Sequence, residues 1–183
     1  MQATIGITTG DPAGIGLETV LKSISAVLTS ARWVVFTDRS IFERNVSRFP
    51  PGVKWRWIED WSGVTGEPVL FVKDLGDTCS GIEWGRPSAA AGQRALAYLE
   101  AASSQALAGR IGAIVTAPVS KEAVGPGFRG QTDFLADRAG CRQYAMAFFA
   151  PAFKVVLATI HAALDRCRDS LSRLGSGPGR KPA

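Results

Sequence analysis

Apolar residues along the chain fall into two rhythms, short runs that suit strands and, between them, stretches with helical spacing. Thr4–Thr9 is a short β-type run that ends in the glycine-rich segment Gly10–Gly16, a tight and permissive loop. Behind it Leu17, Val20, Leu21, Ile24, Val27 and Leu28 recur on one helical face. Trp33–Phe36 reads as a strand apolar enough to be buried on both sides, and Ile41–Phe49 as a helix stopped by Pro50-Pro51. Val53, Trp55 and Trp57 alternate with Lys54 and Arg56, the pattern of a strand with one wet face, and Val69–Val72 is another strand. Gly76–Pro87 is loop-like. Ser88 then caps a helix from Ala89 to Leu107, with Leu96, Leu99, Ala102, Ala106 and Leu107 along one side. Ile111–Thr116 has the pattern of a buried strand and closes at Ala117-Pro118.

Strands and helices alternating in this way predict an α/β fold, with a mostly parallel sheet flanked by helices on both faces. The character then changes. Val119–Gly130 is loop-rich, and Thr132 is positioned to cap a short helix to Ala139. Met146–Phe149 and Phe153–Ile160 form two strands joined by a turn at Pro151, and Leu164, Cys167, Leu171 and Leu174 make one stripe of a last helix. We therefore expect an N-terminal α/β domain over residues 1–123, the start of a second domain over 124–174, and a disordered basic tail over 175–183.

Composition narrows the function classes. Hydrophobic residues at 46% and charged residues at 20% describe a globular chain long enough to bury a core. The net charge of +5 invites a nucleic-acid reading. From Ala162 onward, however, five basic residues face two acidic ones, so a basic tail explains most of the excess. No basic stripe interleaved with aromatics runs through the body, which argues against nucleic acid. No segment is long and apolar enough for a membrane span, and Met1–Thr4 runs straight into a strand pattern without a signal-peptide core, so the cytoplasm is expected. Cys79, Cys141 and Cys167 are odd in number and far apart, which supports neither a disulfide framework nor a cysteine zinc site.

Three places carry candidate chemistry. A glycine loop between a strand and a helix N-terminus can accept an anion through its N–H groups. Gly10–Gly16 fits, with Gly10, Asp11 and Gly14 as its candidates, although Asp11 would repel a phosphate unless a cation stands nearby, and a purely structural turn is the other reading. Ligands in open α/β sheets gather at carboxyl ends of strands, and Lys121 with Ser120 sits just beyond one. Lys121 is there either a phosphate ligand or a plain surface lysine. His161 is the sole histidine, a structural residue or one metal ligand, and an ion held there needs further ligands from carboxylates or another chain.

Taken together these motifs resemble the 4-hydroxythreonine-4-phosphate dehydrogenases. Gly10–Glu18 looks like that family's N-terminal signature, and Gly85–Gly92 and Ile114–Ala123 match it in the same order. Gly130–Ala136 resembles its Gly-His-Thr-Glu element, and Ala158–His161 the strand end that supplies a metal-binding histidine. The resemblance implies a fold like isocitrate and isopropylmalate dehydrogenases, incomplete in this chain, and a homodimer in the family. It implies NAD- or NADP-dependent oxidation of a phosphorylated hydroxy acid followed by decarboxylation, on the route to pyridoxal phosphate. A divalent metal (zinc, magnesium or cobalt) held by three histidines would polarise the reacting oxygen. By position His161 would be a metal ligand, while Gln131 and Thr132 would bind substrate. Gln131 stands where the family has histidine, and an amide cannot carry the proton of an imidazole. The later histidines and phosphate-gripping residues have no counterpart, so the expectation is a truncated member inactive alone. The alternative is a non-catalytic protein that binds a phosphate ligand or a partner.

Overall fold

The computed structural model describes residues 2–76 and 81–159, together with Ala163, Asp165 and Cys167. Cys79, His161, the tail from Gly175 and most of the stripe through Leu164, Leu171 and Leu174 lie outside the described residues. The chain divides into two compact units, 1–140 and 141–183.

In the first unit the elements run β1 (Thr4–Thr8), α1 (Gly16–Val27), β2 (Arg32–Thr37), α2 (Arg39–Arg48), β3 (Trp55–Ile58), β4 (Leu70–Asp74), α3 (Ala89–Leu107), β5 (Ala113–Thr116), α4 (Lys121–Val124) and α5 (Gln131–Arg138). The five strands form one sheet in the order β3-β4-β2-β1-β5, and every neighbouring pair is parallel. Parallel strands need crossovers, and the helices that supply them must cover the sheet. Helices α1 and α2 cover one face, where Leu17, Leu21, Ile24, Ile41 and Phe42 pack on Val35 and Val72. Helix α3 covers the other, setting Tyr98 and Ala102 against Val34, Phe36 and Phe71. The central strands β2 and β4 are therefore apolar on both sides, as their unbroken runs predict, and each fully buried side chain there contributes about 1.5–3 kcal/mol.

Edge strands behave differently. In β3, Trp55 and Trp57 turn inward, their rings edge-on to Phe42 at 5.0 and 5.2 Å, while Arg56 faces water. The expected wet face is there. Strand β5 was expected to be buried and is not: it is the opposite edge of the sheet, and Val115 is 47% exposed. An apolar run sets what a strand can bury, but burial also needs a neighbour on the far side.

Helix α3 spans the expected Ala89–Leu107, with the Ser88 hydroxyl accepting from the Ala91 N–H at 3.2 Å. Its buried face differs from the expectation. Leu107 is 59% exposed, and the centre of the contact is Tyr98. Thr132 does not cap α5 either; Gly130 holds the N-cap position at φ 139°, and Thr132 falls in the first turn.

The expected boundary at residue 123 lies within the first unit. There α4 rests directly on α3, and a Cβ built on Gly92 would stand 2.1 Å from the Ala123 carbonyl oxygen. In the second unit β6 (Ala147–Phe149) and β7 (Lys154–Val156) form an antiparallel hairpin closed by Ala150 N–H donating to Phe153 O at 2.9 Å.

Candidate functional site at the carboxyl ends of the strands

Strands β1 and β5 are neighbours, yet the chain leaves them toward opposite faces. After β1 it enters α1, and after β5 it reaches α4 beside α3. Such a reversal opens a crevice at the carboxyl ends, the usual ligand position in open α/β sheets. Here the Gly10–Ile15 loop and the Ala117–Ser120 loop meet at that end of the sheet.

Main-chain contacts fix the two loops to each other. The Asp11 N–H donates to Pro118 O at 2.9 Å, and the Ala117 N–H to Thr8 O at 3.0 Å. Gly10 adopts φ +67°, and a Cβ there would sit 2.2 Å from Pro118 O; one on Gly16 would sit 2.2 Å from Thr9 O. These glycines are required by close approach of backbone to backbone. The Asp11 carboxylate accepts the Ala13 N–H at 2.8 Å, and its carbonyl accepts the Gly14 N–H at 2.9 Å. Asp11 is only 9% exposed, so its charge is turned into its own loop as an Asx-type turn.

A third loop docks on the first. The Gly85 N–H donates to Ala13 O at 2.8 Å. Arg44 of α2 holds this arrangement, donating to Ile82 O at 3.0 Å and Pro12 O at 3.3 Å, with its guanidinium 4.5 Å from the Trp84 ring centre. Neither Arg44 nor Trp84 is marked as a site residue by sequence. The partners of Arg44 lie 32 and 38 residues away, beyond the reach of local periodicity.

Lys121 and Gln131 come together on the far side of the crevice. The Ser120 hydroxyl accepts from the Ala123 N–H at 3.2 Å, starting α4 at Lys121. The Lys121 ammonium reaches over Gly130, within 3.3 Å of where a Cβ would be. The Gln131 amide donates to Ala117 O at 3.2 Å, and its Oε1 is enclosed without a hydrogen-bond partner. Thr132 follows, exposed, in the first turn of α5. An ammonium beside the N-terminus of α5 makes a field suited to an anion, while Gln131 Oε1 is closed off from solvent and open to a ligand only if the side chain turns.

A buried ionic network lies at the carboxyl end of β2. Asp38, wholly buried where β2 ends, accepts from Arg94 Nε at 2.7 Å, from a second Arg94 nitrogen and from the Tyr98 hydroxyl at 2.8 Å. Hydrogen bonding to Asp38 raises the Arg94 pKa above the ordinary arginine value, so Arg94 stays charged.

A three-histidine metal cage does not match the donors present. The chain has one histidine, His161, which lies outside the described residues, and no group of three or more His, Cys, Asp or Glu among the described residues could hold a metal.

Comparison with known proteins gives these loops a lineage. The model of the family described as "Pyridoxal phosphate biosynthetic protein PdxA" matches residues 29–174. The 4-hydroxythreonine-4-phosphate dehydrogenase of Desulfosudis oleivorans is 34% identical over 92% of this chain and 52% of its own length. The D-threonate 4-phosphate dehydrogenase of Salmonella typhimurium is 35% identical over 92% of this chain and 54% of its own. The chain thus spans about half the length of these curated relatives. A crystal structure of a 4-hydroxythreonine-4-phosphate dehydrogenase from Burkholderia phymatum superposes with a TM-score of 0.81 at 34% identity, over 94% of this chain and 57% of that one. Ordered motifs, shared topology and matched sequence agree: the chain belongs to the family of the pyridoxal phosphate biosynthetic protein PdxA.

Proposed function

We propose that this chain carries the substrate-gripping part of a dehydrogenase for phosphorylated hydroxy acids, and that it binds such an acid without turning it over alone. The observation that carries the reading is the meeting of Lys121 with the Gly130–Gln131 start of α5, tied to Ala117 just beyond β5. Lys121 offers the phosphate a cation. Gln131, anchored by its own amide to Ala117 O, fixes the helix start beside Lys121, and the exposed Thr132 adds a hydroxyl there. The relatives' names fit that division, since 4-hydroxythreonine 4-phosphate and D-threonate 4-phosphate are both phosphorylated hydroxy acids.

The family reaction, oxidation with NAD or NADP followed by loss of CO2 with a divalent ion such as zinc, magnesium or cobalt, needs more than these residues provide. Gln131 cannot carry a proton at neutral pH, and His161 alone gives one imidazole where three are expected. No step through the metal or the dinucleotide follows from this donor set. We place the protein in the cytoplasm as part of a homodimer, by the same resemblance; no described helix is long and apolar enough to cross a membrane.

Calorimetry with 4-phosphohydroxythreonine, D-threonate 4-phosphate and inorganic phosphate tests the reading, alongside a nicotinamide absorbance assay with each metal. The expected result is heat with a phosphorylated acid, lost in Lys121→Ala, and no reduced cofactor. Equal heat from the variant would refute the role of Lys121, and steady turnover would refute inactivity. A non-catalytic partner-binding role is the second reading, and the exposed edge of β5 favours it.

A further inference from the structure

The cation of Arg44 is directed at main-chain carbonyls. One nitrogen of its guanidinium donates to Ile82 O at 3.0 Å and another to Pro12 O at 3.3 Å, so a single planar fork bridges two loops. Its Nε is enclosed without a hydrogen-bond partner. Trp84 follows on the same strap, with the Arg44 guanidinium 4.5 Å and the Arg48 guanidinium 5.0 Å from its ring centre. Ile82 is 5% exposed and belongs to the same core cluster as Ala13. The strap is therefore anchored, and through Arg44 it fixes where the Pro12 carbonyl stands.

From Pro12 the contacts run on across the end of the sheet. The residue before it, Asp11, donates its N–H to Pro118 O at 2.9 Å, and the residue before that proline, Ala117, accepts from the Gln131 side-chain amide at 3.2 Å. Asp11-Pro12 and Ala117-Pro118 are thus two residue–proline pairs hydrogen-bonded to each other. A proline ring fixes its own φ and restricts the residue before it, so each pair is a stiff link. Little slack separates them, since a Cβ on Gly10 would stand 2.2 Å from Pro118 O. A shift of the Pro12 carbonyl is then passed to the Ala117 carbonyl instead of being absorbed between them.

We infer that Arg44 is a positioning residue for the anion site at the start of α5: it touches no ligand, and it sets the place of Gln131, with Lys121 beside it, through these two links. The inference rests on the binding role proposed above for that site, and adds the residue on which its geometry depends. Lysine is no substitute at position 44, because an ammonium lacks the planar fork that reaches two carbonyls while stacking on an indole. Coupling of this kind is reciprocal, so a ligand held by Lys121 should in turn steady the strap.

NMR of the full chain tests this first without a ligand. The Gln131 side-chain amide resonances report the hydrogen bond to Ala117 O, and exchange of the Gly85 and Asp11 amides reports the contacts between the loops. Arg44→Lys and Arg44→Ala, two variants in case one fails to fold, are expected to move the Gln131 resonances and to speed exchange at both amides at least about threefold. Arg48→Ala, which removes only a cation stacked on Trp84 and Phe49, should leave the Gln131 resonances in place. Calorimetry with D-threonate 4-phosphate should show roughly fivefold weaker binding in Arg44→Lys, and that acid should slow Gly85 exchange in the parent chain. A folded Arg44→Lys in which Gly85 exchange quickens while the Gln131 resonances stay put would reduce Arg44 to a local tie and overturn the inference. Unaltered affinity, or an equal shift in Arg48→Ala, would overturn it as well. Absence of heat from the parent chain would instead refute the binding role, and the Gln131 resonances would still decide whether Arg44 sets that side chain.

Discussion

Gly92→Ala sets two effects of opposite sign against each other. In a helix interior alanine is favoured over glycine by about 0.8–1 kcal/mol, so the change in α3 looks stabilising from sequence. At this position the added Cβ falls 2.1 Å from the Ala123 oxygen, 2.2 Å from its carbonyl carbon and 2.5 Å from the Val124 nitrogen. All three are backbone atoms of the turn formed by α4, so no side-chain rotation relieves the overlap. Either α4 retreats or the contact is lost, at a cost of about 1–3 kcal/mol for an overpacked site. A displaced α4 also strains the Ser120 cap, and a lost cap costs about 1 kcal/mol. The clash wins, with a net loss of about 1–3 kcal/mol, and for a unit of this size the melting temperature falls by roughly 3–10 °C. Circular dichroism reads the melt, and calorimetry with a phosphorylated acid reads the site, since Lys121 moves with α4. A variant that melts at or above the parent temperature would show that helix propensity outweighs the contact, and the reasoning would be wrong.

Two further outcomes follow from buried polar groups and a capping carboxylate. Asp38→Ala removes the carboxylate opposite Arg94 and Tyr98 and leaves a largely enclosed guanidinium unpaired, for a loss of about 3–5 kcal/mol, whereas Tyr98→Phe loses about 1.5–3 kcal/mol. Because the two share one network, the double variant should cost less than the sum in urea unfolding; simple additivity would show that Asp38 and Tyr98 are not coupled. Asp60, which accepts from the Ser62 side chain and backbone N–H, has its pKa lowered below the ordinary carboxylate value, the Ser62 hydroxyl being the larger cause. A depressed folded value means that its contribution to stability is present above the unfolded pKa and is lost as pH falls through the folded one. Carboxyl NMR titration should place the Asp60 midpoint below the ordinary value, and Ser62→Ala should raise it; an unmoved midpoint contradicts the assignment.

Local rules carried much of the fold. The extents of α1, β2 and α3 follow from periodicity and from Ser88, because the forces that choose them act within a few residues. What failed was set by distant neighbours. The run Ile111–Thr116 says that β5 can be buried, but exposure of Val115 depends on what lies beside the strand. Periodicity alone puts Leu107 on the buried side and omits Tyr98, whose hydroxyl is satisfied by Asp38, 60 residues earlier. Within the site, the glycines of the first loop and the Thr116–Lys121 segment are visible one at a time. Their interlocking is not, since the Asp11–Pro118 hydrogen bond belongs to neither segment. The inward turn of the Asp11 carboxylate likewise removes the repulsion that composition alone suggests.

The three loops are joined chiefly through backbone N–H and C=O groups, Asp11 to Pro118 and Gly85 to Ala13 among them. Such a framework is nearly blind to the identity of the side chains it displays. Exchange of one functional group for another, such as glutamine at position 131, can change what the crevice recognises while the crevice itself keeps its shape. New specificities can thus arise here by single substitutions, provided Gly10 and Gly16 remain without side chains.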